Sequence, residues 1–269
     1  MNAGDSEAPS PPRSEPHVLI TGSALRSGAP DLLEIGLRRM GLQPQRIGAP
    51  DDGGGPAAFR LALGRTTATI DVPGDATLTA ANPADRGTNS LATNLPPDWA
   101  GVGTCWRVTP EAADAVPMLD PAATREFFKL VVLLIDLFDA SHIFWSPARL
   151  WSDAPQFRAA VAEMLASGMP PVLHLIAFRR RESTDGEVVA TRGLAAFAGQ
   201  ELAAAVPPGW TMADMVKRLA RLALDLMLNG PVREEQTVGG LLAGERVRMT
   251  PQGDGAPPPA VRVDFERAG

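Results

Sequence analysis

Apolar residues alternate with polar or small ones in two adjoining stretches of the chain. Phe59, Leu61 and Leu63 take every second place before Gly64-Arg65, and Thr66, Ala68 and Ile70 do so after it. A two-residue turn at Gly64-Arg65 pairs 63 with 66, 61 with 68 and 59 with 70, putting both apolar sets on one face of a hairpin. The same period recurs near the C-terminus, at Val247 and Met249 and then at Val261, Val263 and Phe265. Helical spacing appears elsewhere. Leu33, Leu37 and Met40 lie between Pro30 and Gly41, a start and a stop signal. Asp120-Pro121 opens a helix that is apolar nearly all round from Phe127 to Phe138, interrupted by Lys129 and Asp136. Such a helix is central and covered on most sides. Residues 154–167 form a helix stopped by Gly168 and Pro170. Thr211 with Asp214 is a capping pattern for a helix bearing Met215, Leu219, Leu222 and Leu226, ended by Asn229-Gly230-Pro231.

Shorter strands are expected at 18–20, 103–108, 142–145 and 172–178, with a charged loop from Arg179 to Gly186. Extended chain is also expected from Gln200, after a short turn around Gly193 to Ala198. Residues 73–101 carry no usable periodicity and read as a long loop or a lid. Residues 1–16, rich in Pro and Gly and nearly free of large apolar side chains, read as a disordered tail. Adjacent strands between helices predict an α+β fold: mostly antiparallel sheet packed by about four helices. It is read as a single domain over 17–269, divisible into lobes 17–150 and 151–269.

Composition narrows the chemistry. All but two of the 25 basic residues are arginine, the exceptions being Lys129 and Lys217, yet the net charge is −6. With the arginines scattered, no nucleic-acid partner is expected. The longest apolar run, Leu130 to Ile135, is far too short to span a membrane. A single cysteine, Cys105, precludes an intramolecular disulfide, and the absence of tyrosine removes every mechanism that needs a phenol. A cytoplasmic bacterial protein is expected.

The candidate constellations are few. Gly22 and Gly28 follow a strand, but the tight spacing of a dinucleotide fingerprint is missing, and no phosphate-loop lysine follows. No cofactor is expected. Asp136 and Asp139 lie three apart on one helical face and His142 comes just beyond, a set whose chemistry suits a divalent metal; the alternative is a wet helix edge followed by a strand. Cys105 sits inside a predicted strand, where a buried structural thiol is the common case. Arg179-Arg180-Arg181 reads as a solvated loop.

Three short motifs carry a family resemblance. Ile143-Phe144-Trp145-Ser146-Pro147 resembles an aromatic strand end. Thr191-Arg192-Gly193-Leu194-Ala195-Ala196-Phe197, followed by Gly199-Gln200-Glu201, resembles a T-x-G-L-x-x-F stretch with a trailing acidic pair. Glu235-Gln236-Thr237-Val238-Gly239 resembles a turn before a final strand. In this order they are similar to the bacterial family called domain of unknown function 4261, over residues 143–249. The resemblance implies an α+β cytoplasmic protein and no particular reaction. It singles out Thr191, Arg192, Gly193, Glu201 and Thr237, while Ala203 stands where the family has its second carboxylate. Glu201 is expected to be structural, holding Arg192 or the amides of the preceding turn. Two functional expectations follow: a non-enzymatic protein-binding factor of the immunity or accessory kind, or a small-molecule hydrolase or ligand-binding protein with its site under the 73–101 segment.

Overall fold

The hairpin forms in the expected register, Phe59 opposite Ile70, Leu61 opposite Ala68 and Leu63 opposite Thr66, with Gly64 taking a left-handed φ of 56° at the turn. Around it, the computed structural model describes residues 15–23, 30–47, 58–101, 104–111, 118, 120–183, 186–252 and 258–267. Of the expected tail, residues 1–14 lie outside that set, as does Gly28.

The first part of the chain runs β1 (Val18–Thr21), α1 (Pro30–Arg39), β2 (Gln45–Ile47), β3 (Ala58–Leu63), β4 (Thr66–Asp71), α2 (Asp75–Ala80), β5 (Asn89–Ser90), β6 (Trp106–Glu111), α3 (Pro121–Phe138), β7 (His142–Trp145) and β8 (Leu150–Asp153). Its strands make one sheet in the order β2-β3-β4-β6-β1-β7-β8-β5, antiparallel except for the β5–β8 pair. The rest runs α4 (Ala154–Ser167), α5 (Val172–Leu175), β9 (Ala177–Ser183), β10 (Gly186–Arg192), α6 (Ala195–Ala198), β11 (Glu201–Ala205), α7 (Met212–Asn229), β12 (Gln236–Gly239), β13 (Glu245–Pro251) and β14 (Ala260–Arg267). Its strands make a second sheet, β12-β13-β14-β11-β10-β9, antiparallel except for β11–β14. The fold is α+β. The change of sheet falls between β8 and β9 rather than at residue 150.

Four helices of ten residues or more do the packing. α3 is capped by the Asp120 carboxylate, which accepts from the Ala122 amide at 2.9 Å, and buries Phe127, Phe128, Leu130, Val131, Leu134, Ile135 and Phe138. The Phe128 ring meets Trp145, Phe157 and Phe197, so one apolar core runs from the first sheet through α4 into the second. α7 opens with the expected Thr211–Asp214 capping box and lays Met215, Leu219, Leu222 and Leu226 into that core. Among the described residues no helix is long and apolar enough to cross a membrane.

Three expectations are corrected. Residues 172–175 are a helical turn, not the start of a strand. Pro170 and Pro171 precede them, a residue type suited to a helix start, and Trp145 Nε1 donates to the Leu175 carbonyl at 3.0 Å. The strand begins only at Ala177, and the arginines expected in a loop, Arg179 to Arg181, lie within it. Residues 73–101 are not one loop. They hold α2 and β5, and they cover a second, smaller apolar cluster on the far face of the first sheet, where Trp99 stacks edge-on against Trp151 at 4.8 Å.

Candidate functional site

Thr191, Arg192, Gly193 and Glu201 come together where β10 passes through α6 into β11. Glu201 lies in extended chain with Leu202 and Ala204 buried on the opposite face, as the alternation predicts. Its carboxylate is ringed by donors. Thr191 Oγ1 donates at 2.7 Å, the Gly193 amide at 2.8 Å, the Ala195 amide at 3.1 Å and the Leu194 amide at 3.3 Å. Thr191 Oγ1 in turn accepts from the Leu202 amide at 2.7 Å. Burial raises the Glu201 carboxyl above its ordinary range, and the four donors act against that shift. Gly193 takes a φ of 99°, and a Cβ there would stand 2.9 Å from both the Ala148 Cβ and the Leu175 carbonyl. Turn, glycine and carboxylate thus fix the end of β10 against the β7–β8 connection.

Arg192, at that fixed end, points out of the core. Arg192 lies opposite Ala177, Ala190 opposite Arg179, and Val188 opposite Arg181. Directly paired residues share a face, so Arg179, Arg181 and Arg192 all stand on one side of the sheet, opposite the buried Val189 and Thr191. The Arg192 Nη1 donates to the Gly87 carbonyl at 3.1 Å, and Arg179 Nη2 to the Arg86 carbonyl at 2.9 Å. Arg149, in the β7–β8 turn with a left-handed φ of 47°, reaches the same segment. It bonds Asp85 Oδ2 at 2.7 Å and Thr88 Oγ1 at 3.1 Å. Gly87 makes room for this, since a Cβ would come within 2.7 Å of Arg149 Nη1.

The result is a concentration of positive charge, offset by Asp85, which pairs with Arg149, and by the buried Glu201 carboxylate, whose charge acts on Arg192. Among the described residues Asp85 is the ion-pair partner at the cluster, bound to Arg149, and Arg179, Arg181 and Arg192 form no ion pair. The Asp85 carboxyl is held below its usual range by the Gly87 amide and then by Arg149. Burial, followed by Arg149, Arg179 and Arg181, pushes the Arg192 guanidinium down to about 10. Arg149 Nε is buried and without a hydrogen-bond partner. Such a site can hold an anion: guanidiniums offer planar, paired donors to carboxylate or phosphate oxygens, and partial desolvation strengthens the attraction.

The other sequence candidates lie elsewhere. Thr237 is exposed on β12 opposite Arg248, far along the second sheet from β10. Asp136 pairs with Arg158 at 2.7 Å on the surface, and Asp139 closes α3 in a left-handed conformation. His142 turns away from both, onto the sheet face where it meets Asp153. Among the described residues no three His, Cys, Asp or Glu side chains stand close enough to hold a metal ion. Cys105 is buried, and desolvation pushes its thiol up to about 12, far from a nucleophilic thiolate at neutral pH. A solvent-open depression beside the N-terminal half of α3, lined by Pro121, Arg125, Glu126 and Lys129, mixes both charge signs and gathers no catalytic set.

Sequence reading found Arg192 and Glu201 but missed Arg149 and the 85–88 segment. A signal was present: Asp85, Gly87 and Thr88 form a tight polar turn, with the Gly87 amide on Asp85 Oδ1 at 2.6 Å and the Thr88 amide on the Asp85 carbonyl at 2.8 Å. Searches against family models, curated proteins and solved structures found no match to this chain.

Proposed function

We propose that this protein binds an anionic small molecule, one bearing carboxylate or phosphate groups, at the cluster of Arg149, Arg179 and Arg192 over residues 85–88. The observation that carries this reading is the convergence of three guanidiniums from three separate elements on one segment, where Asp85 is the carboxylate ion-paired with them among the described residues. It favours the ligand-binding expectation for the 73–101 segment. It is also compatible with membership of the domain of unknown function 4261 family, whose motif covers the Glu201-bound turn in which Arg192 takes the open position after Thr191.

The test is calorimetric titration with inorganic phosphate and with citrate at constant ionic strength. Wild type is expected to show saturable binding, and Arg192→Gln to lose it. Arg180→Gln, which removes a guanidinium paired with Glu187 on the opposite face of β9, is expected to keep it. Absence of saturable binding in wild type, or equal loss in both variants, overturns the proposal.

A second reading, the protein-binding factor, is favoured by a different surface. Leu32 and Ile35 of α1 are exposed, as is Ile47 at the end of β2, an edge strand of the first sheet. Arg46 bridges the two elements through Asp31 and Glu34. Exposed apolar residues beside a strand that has no further partner strand among the described residues suit a partner that adds a strand.

A further inference from the structure

We propose that Ser141, His142 and Asp153 form a hydrolytic relay in which Ser141 attacks activated carboxylic esters. The site is separate from the arginine cluster. Arg149 lies in the turn that joins β7 to β8, whereas these three residues meet at the opposite end of the two strands.

The geometry follows from the sheet. The antiparallel register sets Thr21 of β1 beside His142 of β7, and His142 beside Asp153 of β8. His142 Nδ1 stands 2.9 Å from Ser141 Oγ, and His142 Nε2 stands 3.4 Å from Asp153 Oδ1. Asp153 acts on the imidazole as a nearby charge, and with its proton on Nε2 the ring presents Nδ1 as the acceptor for the serine proton. The Ser141 hydroxyl also approaches the Thr21 carbonyl at 3.4 Å, a longer contact than the one to Nδ1.

Four further observations single the group out. Asp153 occupies the N-cap position of α4, yet its side chain does not cap the helix; its oxygens accept instead from the Thr93 amide at 3.2 Å and Thr93 Oγ1 at 3.0 Å. Gly22 leaves the space that Ser141 uses, because a Cβ there would lie 2.1 Å from Ser141 Oγ. Ser141 is exposed while His142 is buried, so the nucleophile meets solvent and the base is kept dry. The Thr21 hydroxyl beside His142 is buried and without a hydrogen-bond partner.

The reaction balances with water as the only co-reactant. Ser141 Oγ bonds the acyl carbon as His142 Nδ1 takes the hydroxyl proton. The carbon–oxygen bond to the leaving group breaks, and that oxygen leaves with the proton from Nδ1. Water then attacks the acyl-serine, His142 again taking and returning a proton, and a carboxylic acid is released. Burial holds the His142 imidazole below its usual range and the Asp153 charge opposes that shift, so the base form prevails at neutral pH. An activated ester suits this arrangement because its leaving group needs no acid beyond the one proton His142 carries.

The experiment uses an alkyl fluorophosphonate, in which serine oxygen displaces fluoride at phosphorus, followed by intact mass and peptide mapping. Wild type is expected to gain one adduct, on Ser141. Ser141→Ala is expected to gain none, and His142→Gln to react about a hundredfold more slowly. The wild-type rate should rise with pH as His142 loses its proton. Asp153→Asn, by removing the charge that favours the imidazolium, should move the midpoint of that rise to lower pH; an unchanged midpoint removes Asp153 from the relay. No adduct, an adduct elsewhere, or labelling of Ser141 at the same rate in His142→Gln overturns the proposal. Should His142→Gln not fold, a wild-type rate that stays flat across the imidazole range overturns it equally.

Discussion

Replacing Glu201 by Gln changes one atom and reverses half of a hydrogen-bond set. The carboxylate accepts from Gly193 and Ala195 through Oε1 and from Thr191 and Leu194 through Oε2. A glutamine can keep its carbonyl oxygen toward Gly193 and Ala195, but its amide then faces two donors. Thr191 has a way out, because its hydroxyl can turn toward the Leu202 carbonyl, now 3.4 Å away. The Leu194 amide has none, and a buried donor without a partner costs about 1–3 kcal/mol. The loss of charge assistance on the remaining bonds is offset by the removal of a charge that burial already disfavours. The expected net loss is about 2 kcal/mol, which for a domain of this size lowers Tm by roughly 4–8 °C. Denaturant titration followed by both fluorescence and circular dichroism measures it. Glu201→Leu, leaving the Gly193, Leu194 and Ala195 amides unpaired, is expected to be worse. A Glu201→Gln variant within about 0.5 kcal/mol of wild type would show that the turn does not depend on the carboxylate.

Leu134, fully buried in the middle of α3, should cost about 2–5 kcal/mol when cut to alanine; a much smaller loss in the same titration would place α3 outside the folding core. Stability should also fall on mild acidification. Burial lowers the pKa of His17, His142 and His174, the chain's only histidines. The unfolded chain therefore takes up protons below about pH 6.5 that the folded chain resists. The stabilisation is complete above that pH and is lost as pH falls toward the folded values, by up to about 1.4 kcal/mol per pH unit per histidine. Denaturant midpoints measured from pH 7.5 to 5 check this, and His174→Gln should flatten the slope; an unchanged slope would locate the effect elsewhere.

Local physics made much of the architecture legible. The Gly64 turn with alternating Phe59, Leu61, Ala68 and Ile70 determined a hairpin and its register, because side chains in extended chain alternate between faces. Asp120-Pro121 and the Thr211–Asp214 box determined where two long helices start, because an orphan amide is satisfied by a residue a few places away. Even the role of Glu201 was within reach, since its partners lie within ten residues of it. Where local signals were ambiguous, tertiary context decided. The apolar run after Pro171 divides into a helical turn and a strand because Trp145, from another element, takes the Leu175 carbonyl.

The candidate sites belong to the tertiary structure. Arg149 meets Asp85 across 64 positions, Arg179 meets Arg86 across 93, and Arg192 meets Gly87 across 105. No periodicity records such contacts, because they depend on the β5–β8 pairing within the first sheet and on how the second sheet packs beside it, not on spacing along any one element. Ser141 and His142 are neighbours in the chain, but Asp153 joins them only through the β7–β8 register. Sequence fixes which face a side chain takes within its own strand; which distant charge waits across that face is set by the packing of the whole chain.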